Sequence, residues 1–211
     1  MRHAMPRPRS ETGILAGARV PHSVLDGVMK IMHARLGSPA FHGAVLFALL
    51  LGVAPAAQAQ VTAKDVQVAG RVLGFLDPPL TGNVQLGIVY DPSVPASVAD
   101  EQALLGILGS GLQVAGVNLI PVPVPLASLG TAQVTALFLT SGLGASAAQA
   151  GNAAAAKKII CITADLAATQ SGACAVAVQT EPKVNITVNK ATAAQSGVNF
   201  ASAFMLMVTE I

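Results

Sequence analysis

Aromatic side chains are scarce in this chain: tryptophan is absent, Tyr90 is the single tyrosine, and phenylalanine occurs six times in 211 residues. A core must therefore be filled by Ala, Val, Leu and Ile. Charge is equally sparse, with Asp, Glu, Lys and Arg making up 10% of the chain. Solubility then rests on Gln, Asn, Ser and Thr, and an exposed apolar face used for association is expected. Histidine is confined to His3, His22, His33 and His42, and cysteine to Cys161 and Cys174. No internal repeat is evident.

The longest apolar run, residues 44–53 (Ala-Val-Leu-Phe-Ala-Leu-Leu-Leu-Gly-Val), carries no charge. It falls short of the roughly 20 residues a membrane-spanning helix needs. It matches the apolar segment of a secretory leader, about 7 to 15 residues long, because Lys30 and Arg35 precede it and the small-residue triplet Ala57-Gln58-Ala59 follows it. A buried core helix would carry neither flank. Residues 1–59 are thus read as an N-terminal extension and signal peptide cleaved after Ala59. Met29 and Met32 would each start a leader of ordinary length, and residues 1–28 take no part in the fold reasoning. Beyond the leader no apolar run is long enough to span a bilayer.

Loss of the leader would change the chemistry of what remains. Six of the twelve basic residues but only Glu11 and Asp26 of the ten acids precede Gln60, so residues 60–211 carry a net charge of −2. The formal basicity of the whole chain belongs to the leader and gives no support to a nucleic-acid partner. All four histidines leave as well. A mature chain without histidine cannot build a His-based metal site, a Ser-His-Asp triad or a Cys-His pair. No catalytic residue, metal or cofactor is expected.

The 152 residues from Gln60 to Ile211 suffice for one domain that hides about 70% of its unfolded surface. Both cysteines lie in it, and an even count in an oxidising compartment favours a Cys161–Cys174 bridge. That bridge would close a loop of 14 residues, a size for which chain entropy gives about 3 kcal/mol. Two buried thiols in adjacent strands, or a redox-sensing bridge, are the other readings.

Helical spacing over residues 66–76 stops at Asp77-Pro78-Pro79. Residues 84–90 read as a strand, and Ser97 with Asp100 and Glu101 behind it reads as the capped first turn of a helix to about residue 112. Residues 117–124 form a strand whose Pro121 and Pro123, with Pro125 beyond them, put its second half at an edge or in a loop. The apolar run 134–139 is a strand buried on both faces, followed by an alanine-rich helix near 145–156 and another buried strand at 158–163. A short helix from about Asp165 leads to a strand at 174–179, which a turn at 180–183 joins to 184–188 as a hairpin. Helices at about 190–196 and 200–208 close the chain. The expected fold is α/β and Rossmann-like, with a mainly parallel sheet flanked by helices and an antiparallel C-terminal hairpin.

Several short motifs suggest chemistry. Gly142-Leu143-Gly144-Ala145-Ser146-Ala147 follows a strand and opens a helix, with Asp165 twenty-three residues beyond Gly142, and so mimics a dinucleotide fingerprint. The plainer reading is that small residues let the helix pack closely on the sheet, since the motif follows an internal strand and an exported protein meets little nicotinamide cofactor. Gly109-Ser110-Gly111 lies at a helix end, where glycine terminates, and not on a nucleophile elbow. Asp91 and Asp165 lie near strand ends where ligands bind in open α/β sheets, but without an evident base partner. Lys157-Lys158 reads as a solvated approach to a strand.

At Lys183-Val184-Asn185-Ile186-Thr187-Val188-Asn189, then Ala191, Ala193, Ala194, Gly197-Val198 and Ser202 ahead of Phe204-Met205-Leu206-Met207, the chain resembles the C-terminal end of the YfiR/HmsC family. There a strand finishing in Ile-Asn leads into an Ala-rich helix, Gly-Leu, and a last helix rich in Leu. The likeness runs without a gap over about 25 residues. Weaker similarity covers the rest of residues 60–211, including a helix ending near Phe75, Pro78 and Pro79. The resemblance implies a small periplasmic protein of Rossmann-like fold, often dimeric. It would bind the periplasmic sensor domain of a membrane-bound diguanylate cyclase and hold it inactive, restraining cyclic di-GMP signalling and biofilm formation. It also supports a single structural disulfide, since Cys161 and Cys174 flank a loop where members often bridge. Phe204 and Met205 stand where leucines are usual, and two cysteines cannot supply the two bridges some members form. The other reading is a small-molecule-binding periplasmic protein related to transport substrate-binding proteins, although 152 residues is short for two lobes around a cleft.

Overall fold

The computed structural model describes residues 60–211. The expected leader, its apolar run and its cleavage site lie outside the described residues. In chain order the elements are α1 (Ala63–Leu73), β1 (Gly82–Tyr90), α2 (Pro95–Leu108), β2 (Leu112–Val114), β3 (Val117–Pro125), β4 (Ala136–Leu139), α3 (Ala147–Lys157), β5 (Ile160–Thr163), α4 (Leu166–Gln170), β6 (Val176–Gln179), β7 (Asn185–Val188), α5 (Lys190–Gln195), α6 (Ser202–Met205) and β8 (Thr209–Glu210).

Among the described residues the strands form one sheet in the order β2-β3-β1-β4-β5-β6-β7-β8. The five strands β3, β1, β4, β5 and β6 run parallel to one another. Counted in chain order they lie 2-1-3-4-5, a doubly wound arrangement. β2 is antiparallel to β3, β7 is antiparallel to β6, and β8 runs parallel to β7. The fold is therefore the expected α/β, Rossmann-like one, with the antiparallel pair near the C-terminal end.

Alternation along β4 and β5 divides the core in two. Ala136, Phe138, Ile160 and Ile162 point to one face, where they meet Val66, Val72 and Leu73 of α1 and Leu104 and Leu108 of α2. Leu137, Leu139 and Cys161 point to the other, against Ala147, Ala150 and Ala154 of α3 and Ala168 of α4. Every residue of both strands is buried. Each large aliphatic or aromatic side chain so placed contributes about 1.5–3 kcal/mol relative to exposure.

Of the boundaries that differ from the sequence expectation, four have a clear local reason. α1 starts at Ala63, not residue 66, because Thr62 and Asp65 form a capping box: Asp65 N–H donates to Thr62 Oγ1 (3.2 Å) and Thr62 N–H to Asp65 Oδ2 (2.8 Å). Ala63 and Lys64 of its first turn are exposed and the buried Asp65 is polar, so apolar spacing begins only at Val66. α2 starts at Pro95, whose fixed φ suits the first helical position, and Ser97 is not its cap. Gly109 (φ 55°) ends α2 at Leu108 and frees β2 to pair with β3. The expected helix at 200–208 reaches only Met205, because the next residues turn out to the sheet edge, where Ile211 N–H donates to Val188 O (3.0 Å).

β3 pairs with β1 along all nine residues, whereas β2 covers it only as far as Leu119. In a parallel ladder alternate residues turn their N–H groups to the same side. Pro121, Pro123 and Pro125 thus share the outward side, where a missing donor costs no ladder bond and blunts the edge.

Gly151 is a point of close approach: a Cβ there would lie 2.9 Å from Ala173 O and 3.1 Å from Gly172 O. Gly106, within α2, has open space around the same position. Gly106→Ala is expected to gain up to about 1 kcal/mol from helix propensity, whereas Gly151→Ala loses about 1–3 kcal/mol by overpacking. Urea denaturation of the two variants checks the opposite signs.

Candidate functional site

β1 and β4 are neighbours from which the chain departs to opposite faces of the sheet, into α2 and α3. Ligands of open α/β sheets bind at the carboxyl ends of such strands. Here the chain stitches that crevice with its own polar groups. Thr140 Oγ1 donates to Val89 O (2.9 Å) and shares a hydrogen bond of 2.6 Å with Ser97 Oγ, which also accepts from Asp91 N–H (3.0 Å). Asp100 Oδ2 accepts from Ser141 N–H (2.9 Å) and Ser141 Oγ (2.5 Å). Ser97, Asp100 and Thr140 are buried, and water cannot substitute cheaply for these bonds. Asp91 itself accepts from the backbone N–H and hydroxyl of Ser93 (2.9 and 2.7 Å), which holds its exposed carboxyl below the usual carboxylate range.

One strand further along, the glycine motif and Asp165 border one cleft of about 370 Å³, lined by Gly144, Ala145, Ala147, Ala148, Asp165 and Ser171 among others. Gly142 and Gly144 take φ values of 78° and 51°, which glycine adopts without steric cost. Asp165 caps α4, its Oδ1 accepting from Ala167 N–H (2.9 Å), while its own N–H donates to Thr163 Oγ1 (3.0 Å). Ala147, Ala150, Gly151 and Ala154 form the buried side of α3, the close packing that small residues permit. Asp91 and Asp165 follow β1 and β5, strands that β4 separates, so they do not form a pair.

Ser110 sits in the turn after α2, next to the terminating Gly109. Lys157 differs from the expectation of a solvated approach to a strand. It closes α3, and its Nζ donates to Gly130 O (2.9 Å) and Ala132 O (3.0 Å), tying the loop before β4 to the helix. Among the described residues no group of three His, Cys, Asp or Glu side chains is placed to hold a metal ion.

Cys161 and Cys174 are bonded, with Cα atoms 4.9 Å apart, and both are buried. Cys161 lies in β5 and Cys174 two residues before β6, whose lead-in is also tied back by Ala175 N–H donating to Cys161 O (3.1 Å). The bridge closes the segment carrying α4, which forms one wall of the alanine-lined cleft.

The C-terminal edge of the sheet has a different character. Phe75 stacks on the buried Phe204 with centroids 4.9 Å apart, and Phe200 tilts against Phe204 at 5.3 Å. Leu206 and Met207, which follow α6, are 89% and 67% exposed, and Val184 and Ile211 are also exposed. Beside them a groove of about 240 Å³ is lined by Val188, Ala193, Val198, Phe200 and Met205 together with Lys190, whose ammonium pairs with Glu210 (2.9 Å). No described helix is long and apolar enough to cross a membrane.

Neither a family model nor a curated protein matches the chain. Among solved structures it is similar to a conserved domain protein from Vibrio cholerae, at 15% sequence identity and a TM-score of 0.48, over 70% of this chain and 59% of that one. The chain thus spans little more than half the length of that protein.

Replacing both Cys161 and Cys174 by Ala is expected to cost about 2–5 kcal/mol of stability, the range for removing a native bridge from a small domain. Thermal unfolding with and without a reductant checks this: reductant lowers the wild-type midpoint toward that of the variant and leaves the variant unmoved. Equal midpoints throughout would contradict a stabilising bridge.

Proposed function

We propose that the chain is an exported regulatory binding protein, similar to the YfiR/HmsC family, that docks on the periplasmic sensor domain of a membrane-bound diguanylate cyclase and represses cyclic di-GMP synthesis. The observation that carries the reading is the C-terminal unit at residues 183–207. Its gap-free likeness to that family falls on β7, α5 and α6, and it ends in the exposed apolar pair Leu206 and Met207. Apolar side chains exposed next to one another favour association with a partner that covers them. A two-residue edge strand, β8, offers little ladder for a partner strand, so side-chain packing is the expected mode of contact. Export supplies the compartment, and the buried Cys161–Cys174 bridge is compatible with it. A homodimer formed by the same chain belongs to this reading.

The cleft beside Gly144 and Asp165 favours a second reading, a small-molecule-binding periplasmic protein. A ligand that binds only the folded state raises the melting temperature by mass action, and a shift abolished by narrowing the cleft with Ala148→Trp would support it.

The first reading is tested by capturing the mature protein from detergent-solubilised membranes. A diguanylate cyclase is expected in the captured fraction, and deleting the gene is expected to raise cyclic di-GMP. Leu206→Glu with Met207→Glu should abolish capture with a change in stability within about 0.5 kcal/mol, as for exposed positions generally. Capture of no cyclase together with unchanged cyclic di-GMP would sink the proposal.

A further inference from the structure

Gln60 occupies a special place once residues 1–59 are read as a leader. It is exposed and outside any helix or strand, one residue before the buried Val61 and two before Thr62, the cap of α1. It borders a small cleft shared with Thr62, Asp65, Thr180 and Glu181. Cleavage after Ala59 would convert its backbone nitrogen into a free α-amine carried by a glutamine.

We propose that this released Gln60 closes on itself to a pyroglutamyl residue, so that the mature protein begins with a neutral lactam. The proposal rests on the export reading. In the reaction the α-amine nitrogen attacks Cδ of its own side-chain amide. An N–Cδ bond forms, the Cδ–Nε2 bond breaks, one amine proton passes to Nε2, and ammonia leaves. No oxidant, reductant or cofactor is consumed. An α-amine has a pKa near 8, so an appreciable fraction is unprotonated and nucleophilic at neutral pH.

Two observations favour closure at this position. The amine and the amide must fold onto each other, and exposed Gln60 can do so while Val61 stays buried and the Thr62–Asp65 box stays intact. The ammonium would otherwise sit two residues before the cap of α1, at the positive end of the helix dipole, and the lactam removes that repulsion. The product presents no primary amine to an aminopeptidase. Trimming from Gln60 would otherwise reach Val61 and then Thr62, on which the start of α1 depends.

Mass spectrometry of the tryptic peptide 60–64 from protein purified out of the periplasm tests this. The expected peptide is lighter by one ammonia than Gln-Val-Thr-Ala-Lys, and the intact protein resists an aminopeptidase that trims a Gln60→Ala variant. A peptide starting at Gln60 with its amine free would overturn cyclisation while leaving the leader reading in place. A mature chain starting at any other residue would overturn cleavage after Ala59 and the cyclisation with it.

Discussion

β4 has no face turned to water. Ala136 to Leu139 are buried on both sides, and β5 beside them repeats the condition from Ile160 to Thr163. A strand so placed can satisfy its N–H and C=O groups only through ladders on its two edges. β4 therefore requires β1 and β5 in register, and helices must cover both faces of the sheet. The division of the apolar core into two clusters, the packing of small-residue α3, and the meeting of the carboxyl-end loops around Thr140 and Asp165 all follow from keeping that pair of strands dry.

This central constraint was legible in the sequence because it is written in consecutive residues. The run at 134–139 and the stretch that follows Lys158 up to Thr163 are largely apolar and include β-branched residues, and they recur as β4 and β5. The hairpin turn at 180–183 and the prolines of β3 were legible for the same reason, each being local chemistry with one geometric outcome. The elements that escaped notice are too short to show a period. β2 and β8 are three and two residues long and exist only as additions to β3 and β7. Ser97 resembles a helix cap in isolation, but its hydroxyl is taken by Thr140, forty-three positions away.

The polar stitching of the β1–β4 crevice was illegible for that reason too. Asp100 and Ser141 meet across forty-one positions, and nothing local distinguishes them from ordinary helix and loop residues. The glycine motif and Asp165 were visible as a pattern, and the fold brings them to one cleft, where Asp165 spends one carboxylate oxygen on capping α4. Cys161 and Cys174 were visible as a pair, and their bond fixes the segment that forms the wall of that cleft. The exposed C-terminal edge was not visible in the sequence, since composition alone would have assigned Leu206 and Met207 to the core. The proposed regulator thus combines a rigid, twice-covered sheet with one apolar margin left open.

The most direct measurement is the rate of cyclic di-GMP synthesis by a membrane-bound diguanylate cyclase of the same cell, reconstituted in vesicles with its sensor domain outward, as mature protein is added. The account predicts saturable inhibition by the wild type and none by the Leu206→Glu, Met207→Glu variant. A synthesis rate indifferent to the wild type at every concentration would contradict it.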